Sequence, residues 1–169
     1  LGNMVDYVLA EALPVGDDDA CRPTCLVDAY CGSGLFALSA ASRFESVYGV
    51  ETSELAVEAC RRNAEANCLA NARFLSASAE RIFDEVARDG QRGESTTVVC
   101  DPPRKGCDAV FLSQLIQFGP RRVVYISCGP DTQARDLRVL VDSGYRLARV
   151  TPFDLFPQTR HIESVATLE

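Results

Sequence analysis

"RLARVTPFDLFPQTRHIESVATL" (residues 146–168) holds two apolar, β-branched runs, 146–153 and 161–168, separated only by "DLFPQTR". Both runs read as strands. A parallel pair needs a crossover of a dozen or more residues, usually with a helix, and this gap has no room for one. The last strand therefore returns antiparallel, as a hairpin.

Upstream of the hairpin the rhythm is different. "TCLVDA" (24–29), "SVYGV" (46–50), "ARFLS" (72–76), "TTVVC" (96–100) and "RVVYIS" (122–127) read as buried strands. Segments of helical spacing lie between them. Ala56, Cys60 and Ala64 share a face behind a Ser53 cap, Phe111, Leu115 and Phe118 follow "KGCD", and Ala134, Leu137 and Val141 run to a stop at Gly144. The opening "LGNMVDYVLAEAL" also has helical character. Strand and helix in alternation predict an α/β fold, a doubly wound and mostly parallel seven-stranded sheet whose C-terminal hairpin is antiparallel. In such a sheet the start of the last strand comes to the edge where the parallel strands end, which is where open α/β folds bind ligands.

Length and composition bound the rest. The 169 residues, 47% of them hydrophobic, fit one globular domain. No stretch approaches the ~20 apolar residues of a membrane helix, and the opening has no signal-peptide pattern, so no membrane partner is expected. The net charge of −7 is a poor start for gripping nucleic-acid phosphates. The basic residues are sixteen arginines and the single Lys105. Eight cysteines are scattered through apolar segments, which favours a reducing, intracellular location, cytoplasmic first, with nucleus and mitochondrion also compatible. Cys21 and Cys25 are closely spaced, but with His161 as the only histidine no standard zinc pattern is completed, and no metal is expected.

"VDAYCGSGLFALSA" has the form strand, Gly-x-Gly, helix. Gly32 and Gly34 permit a tight turn and close backbone approach to a ligand, and Glu51, closing the second strand in "VYGVETS", suits two ribose hydroxyls. A tight turn alone would use the same glycines. The pair of features points to a nucleoside-containing cofactor. A dinucleotide site wants a third glycine where Ala37 stands, so S-adenosylmethionine, with a ribose and no phosphate, fits better, and the reversed last strand marks the Rossmann-like class I fold of methyltransferases that use it.

"VVCDPPRKGCD" (98–108) is the second constellation. The residue before a proline is pushed to extended conformation, and Pro102 and Pro103 stiffen the elbow, so Asp101 is held out from a strand end. Asp-Pro-Pro is also a competent turn. It resembles the loop of amino-group methyltransferases, but Arg104 stands where those have an aromatic, which argues for another substrate atom. In "VVYISCGPDT" (123–132), Gly129 allows an unusual φ and Pro130 and Asp131 open a helix. A sulfur at Cys128 thus sits at the positive end of a helix macrodipole, which favours the thiolate. Cys31, Cys100 and Cys107 also lie near strand ends, so position alone does not choose among the thiols. Glu163 shares a face with His161, Val165 and Thr167, a costly setting for a carboxylate without a partner or a task.

A methyl donor, an activated thiol and a carboxylate at one sheet edge suit methylation at carbon 5 of uracil. That carbon is too weak a nucleophile until a thiolate adds to carbon 6, and a base must then remove the carbon 5 proton. "YCGSGLFAL", "GVETS", "DPPRKGCD", "VVYISC", "TQARDL" and "DLFPQTRHIESVA" resemble the motifs of the RNA uracil-5-methyltransferase family, which makes 5-methyluridine in tRNA and large-subunit rRNA. The resemblance covers nearly the whole chain. It implies Cys128 as nucleophile and Glu163 as proton-abstracting base, and Asp101 orienting the target base at the substrate and lining the cofactor. It implies Tyr30, Gly32 and Gly34 around the methionine part of S-adenosylmethionine, and Glu51 on its ribose.

The family's upstream Phe-Gln motif and its RNA-holding domains, often a β-barrel, are not found in residues 1–169, so the chain reads as a catalytic fragment. An acidic fragment of this kind can act on RNA if phosphates are held elsewhere and the target nucleotide is flipped out. Arg104, Lys105, Arg121, Arg122, Arg135 and Arg160 form a candidate basic rim, of which Arg104 and Arg160 are the preferred substrate contacts. The adenine contact in "LSASAER" is open between Ser78 and Glu80. The expected partner is RNA, tRNA ahead of rRNA. The alternatives are a noncatalytic nucleoside- or RNA-associated module with Cys128 as core filler, and a nicotinamide-dependent oxidoreductase, which the glycine pattern disfavours.

Overall fold

The computed structural model describes residues 1–13 and 22–169, so Cys21 lies outside the described residues. Seven strands form one sheet in the order β3-β2-β1-β4-β5-β7-β6: β1 (Cys25–Ala29), β2 (Ser46–Glu51), β3 (Ala72–Ser76), β4 (Thr96–Cys100), β5 (Arg122–Ser127), β6 (Leu147–Phe153) and β7 (Glu163–Leu168). The pairs among β1 to β5 are parallel, and β7 runs antiparallel to both β5 and β6. The expected α/β fold with a reversed last strand is the one observed.

β1, β4 and β5 are buried along their whole length, because helices cover both faces and each strand is apolar on both sides. Helices α1 (Gly2–Ala12), α2 (Leu35–Ala40) and α3 (Glu54–Ala66) pack Val8, Phe36 and Val57 against Leu26, Val47 and Val124 on one face. On the other, α4 (Ile82–Arg88), α5 (Ala109–Phe118) and α6 (Pro130–Asp142) pack Phe83, Phe111 and Leu140 against Val27, Val98 and Tyr125. Each face is a separate apolar layer, as two-layer packing on a sheet requires. β6 is the outer edge, mostly exposed, and carries Pro152, which an edge strand tolerates.

Three differences from the sequence reading have clear causes. No helix was expected between β3 and β4, yet α4 buries Ile82, Phe83 and Val86; it is too short for its period to stand out among its charged residues. Helix α6 turns Gln133, Asp136, Leu137 and Leu140 inward, whereas Val141 is 40% exposed. Two polar residues take the inner face because the strands below offer them partners: Gln133 donates to Tyr125 O and Ser164 O, and Asp136 accepts from the Tyr125 hydroxyl. Finally, β7 begins at Glu163 rather than at His161, because its partner β6 ends at Phe153, opposite Glu163.

Gly49 sits mid-strand in β2, against the ring of Phe74. A Cβ there would lie 2.7 Å from Phe74 Cδ1 and 3.0 Å from Cys31 Sγ. The ring is buried and has nowhere to swing. Gly49→Ala is expected to destabilise the fold by about 1–3 kcal/mol, a loss of roughly 2–4 °C in Tm for each kcal/mol. Thermal unfolding followed by circular dichroism checks it, and an unchanged Tm would show that this layer repacks freely.

Candidate active site

The parallel register brings three expected residues to one level. Ala29 pairs with both Val50 and Cys100, so the next residues of β1, β2 and β4 are Tyr30, Glu51 and Asp101. They leave the sheet together at its carboxyl edge. All three line a cavity of about 400 Å³, closed by Pro103, Lys105 and Asp108. A second, smaller cavity of about 160 Å³ shares Tyr30, Glu51 and Asp108 and reaches Ser78. Asp108, which the sequence reading did not single out, also caps α5 by accepting from Phe111 N. Its cue was an acid directly before an apolar helix.

The glycine loop is built for close approach. Tyr30, Gly32 and Gly34 all have positive φ, at 67°, 51° and 87°. For a tyrosine that backbone is uncommon and costly, the kind of conformation that clusters at functional sites. A Cβ on Gly32 would meet nothing within 4 Å, so this backbone faces open space. Its N–H donates to Glu51 Oε2 at 3.2 Å, and Glu51 Oε1 accepts from Ser53 N and the Thr52 hydroxyl. Burial works to raise the Glu51 pKa, but these donors outweigh it and hold the carboxylate below its ordinary value.

Asp28 was missed, although an acid inside the apolar run "CLVDA" is itself a signal. It is fully buried; Oδ2 accepts from Ala37 N at 2.9 Å, while Oδ1 has no partner among the described residues. One amide of the first turn of α2 is thus taken by Asp28. Withdrawal from water pushes the Asp28 carboxyl up to about 8, with Asp101 and Glu51 adding smaller upward contributions. A raised acid keeps its proton in the fold and loses it more easily when unfolded. Its stabilising contribution is therefore complete below the ordinary value and falls as pH rises from about 4 to about 8. The slope from one such group is at most about 1.4 kcal/mol per pH unit. Urea unfolding of the wild type and Asp28→Asn across this range should show stability falling more steeply in the wild type, and parallel curves would contradict it.

The loop after β4 is gripped by α6. The Thr132 hydroxyl donates to Arg104 O, Arg135 Nη2 donates to Lys105 O and Cys107 O, and Cys107 N donates to Asp136 Oδ2 at 2.7 Å. Asp101 keeps solvent contact on its cavity side while the strand ends crowd the other. That withdrawal from water, with the negative charge of Glu163 as second cause, pushes its carboxyl up to about 6. Asp101 and Glu163 thus feel one another across the site.

Ser127 of β5 pairs with Ser164 of β7. Cys128 follows directly on Ser127 and Glu163 directly precedes Ser164, so the last β5–β7 pair brings both residues to the same end of the sheet. Burial then separates the thiols that position could not. Cys31, Cys100 and Cys107 are buried, and desolvation above all pushes Cys31 and Cys100 up, whereas Cys128 is half-buried. Gly129 corrects one expectation: its φ of −127° is ordinary. The residue is small because a Cβ would meet Thr132 Oγ1 at 2.9 Å and Arg104 O at 3.2 Å. Arg104 Nη2 lies 2.9 Å from His161 Nδ1. Arg160 is exposed on the loop before β7 and enters no ion pair among the described residues.

The candidate rim is smaller than expected. Arg122 opens β5, so it and Arg121 lie at the amino edge, away from the site, and Arg122 pairs with Glu169 at 2.8 Å. Ser78 lines the smaller cavity, and the side chain of Glu80 lies outside the described residues. Among the described residues no three of His, Cys, Asp and Glu gather as a metal site, and no helix is long and apolar enough to cross a membrane.

Comparison with known proteins gives a consistent picture. A profile of the tRNA (uracil-5-)-methyltransferase family matches residues 17–169. A tRNA (uracil(54)-C(5))-methyltransferase of Schizosaccharomyces pombe is 43% identical over 99% of this chain and 32% of its own length. Its counterpart from Saccharomyces cerevisiae is 41% identical over 91% of this chain and 24% of its own. This chain spans about a third or less of the length of these curated relatives. Among solved structures, the Pyrococcus abyssi tRNA (uracil-54, C5)-methyltransferase in complex with S-adenosyl-L-homocysteine superimposes with a TM-score of 0.79, at 34% identity, over 99% of this chain and 37% of that one.

Proposed function

The chain belongs to the tRNA (uracil-5-)-methyltransferase family, and on that premise we propose that it methylates carbon 5 of a uridine in RNA, tRNA ahead of rRNA, through a covalent cysteine intermediate. The observation that supports the reading is the Ser127–Ser164 pair that ends the β5–β7 ladder, whose flanking residues are Cys128 and Glu163, together with the charge of Glu163 reaching Asp101 at the cavity.

The residues present fit S-adenosylmethionine. The open backbone at Gly32, the strained Tyr30 and the Gly34 turn suit its methionine part, and the Glu51 carboxylate suits the two ribose hydroxyls. Ser78 lies where the smaller cavity leads on from Glu51. Bound there, the cofactor supplies an electrophilic methyl group.

The chain's own residues supply the rest. Cys128 adds as thiolate to carbon 6 of uracil, forming a carbon–sulfur bond and moving the ring's electron pair to the enolate that makes carbon 5 nucleophilic. Asp101, with a carboxyl raised to about 6 and therefore mostly ionised at neutral pH, orients the uracil edge by hydrogen bonding. After carbon 5 is methylated, Glu163 takes its proton, the electron pair restores the carbon 5–carbon 6 double bond, and the Cys128 thiolate leaves. Arg104 and Arg160 hold the nucleotide from the rim. With a net charge of −7, the chain takes its main phosphate grip from parts of the protein outside residues 1–169, in an intracellular setting that keeps its thiols reduced.

RNA containing 5-fluorouridine tests the reading, since fluorine at carbon 5 cannot leave as a proton does. Incubation with S-adenosylmethionine should give a protein–RNA complex that survives denaturing electrophoresis. No such complex from a protein that binds both RNA and cofactor would overturn the covalent route.

A further inference from the structure

Arg104 is held from two sides. Its carbonyl accepts from the Thr132 hydroxyl of α6 at 2.9 Å, and its Nη2 lies 2.9 Å from His161 Nδ1 on the loop leading into β7. One residue thereby ties together the segments that carry Asp101, Cys128 and Glu163. A guanidinium can only donate. His161 Nδ1 must therefore be the acceptor, which makes the ring neutral and places its proton on Nε2.

The loop presenting His161 is braced for this. Thr159 donates to Phe156 O from both its N–H, at 3.1 Å, and its hydroxyl, at 2.7 Å, and the same hydroxyl oxygen accepts from His161 N at 3.2 Å. Gln158 takes a left-handed φ of 69° to make the turn, and the Phe156 ring meets the imidazole edge-on at 6.3 Å between centroids. An exposed arginine otherwise samples many rotamers, and ordering it at the moment of binding costs entropy. An acceptor that already holds one of its five N–H groups leaves the rest of the planar fork aimed and available for an oxygen.

We propose that His161 is a positioning residue, whose Nδ1 fixes the Arg104 guanidinium in the orientation that receives the target nucleotide. This deepens the uracil reading and rests on it. His161 does no acid–base work here; what matters is an acceptor at the Nδ1 position.

Two measurements test this, one of them independent of activity. The chain has a single histidine, so protein labelled with ¹⁵N-histidine and freed of any affinity tag gives one pair of imidazole nitrogen signals. At pH 8 Nδ1 should be unprotonated, and Arg104→Ala should shift it; an Nδ1 signal unmoved by Arg104→Ala overturns the hydrogen bond.

The second measurement is the rate of adduct formation with limiting 5-fluorouridine RNA. His161→Ala should slow it about tenfold, the size expected for one hydrogen bond to a charged group, through the RNA half-saturation point and with S-adenosylhomocysteine affinity unchanged. His161→Asn, whose Oδ1 falls near the position of Nδ1, should recover most of the rate, and His161→Gln, whose amide falls near Nε2, should not. Equal rates for these two variants, or a wild-type rate in His161→Ala, overturn the positioning role. No adduct from the wild type itself overturns the uracil reading and the role at the substrate with it, while the nitrogen shifts still decide whether the Arg104 contact exists.

Discussion

Cys128→Ala is expected to lower methylation by at least about 10,000-fold and to eliminate the adduct with 5-fluorouridine RNA, while S-adenosylhomocysteine still binds and the fold persists. The size of the loss follows from the role. Without addition at carbon 6, carbon 5 of uracil stays too weak a nucleophile to take the methyl group. Nor can another thiol near this edge substitute. Cys31 and Cys100 are buried, and desolvation first of all pushes both thiols up. Cys107 is buried within the loop, its N–H held by Asp136. Cys128 alone among these is half-buried, and it follows Ser127, whose β7 partner Ser164 is next to Glu163. The fold should tolerate the change, since a half-buried thiol at a strand end gives up little packing. A noncatalytic nucleoside-binding module makes a different prediction, no methylation and no adduct from the wild type or from Cys128→Ala.

Glu163→Gln should behave in a way no simple loss of binding can imitate. Addition and methyl transfer precede the step that needs the base, so they should survive, and release should slow by roughly 100- to 10,000-fold, the usual contribution of a positioned base. The expected result is a stable adduct on natural, unfluorinated RNA, with one methyl group transferred per protein. Mass spectrometry of the trapped peptide would locate the bond on Cys128. Normal turnover without an adduct would remove Glu163 from the mechanism. The substitution also takes away one cause of the raised Asp101 carboxyl, which should come down from about 6. Any residual release in Glu163→Gln should therefore depend on a more acidic group than in the wild type.

The motifs made most of the candidate site legible, residue by residue, but not its supports. Tyr30, Glu51 and Asp101 were expected, and the sheet brings them to one level. Arg104 and Arg160 lie on loops at that edge, whereas Arg121 and Arg122 sit at the opposite one, a distinction that composition cannot express. Asp28, Asp108, Gln133 and Asp136 were not expected. Each acts through a partner distant in the chain or through a cap, and a polar residue within an apolar pattern gives no hint of which partner it will meet. Gly129 taught the same lesson, since steric crowding by Thr132 and Arg104, rather than φ, is what forbids a side chain there.

By itself the chain determined the order and kind of its strands and the reversal of the last one, because a linker as short as "DLFPQTR" leaves no path for a parallel crossover. It also named the chemically active residue types, since reactivity belongs to a side chain before any fold exists. Only the tertiary structure decided which of the thiols near the carboxyl edge stays within reach of solvent, which carboxyls share one cavity, and that the β5–β7 ladder ends between Cys128 and Glu163. Register, burial and charge proximity arise between segments far apart along the chain, and packing alone sets them.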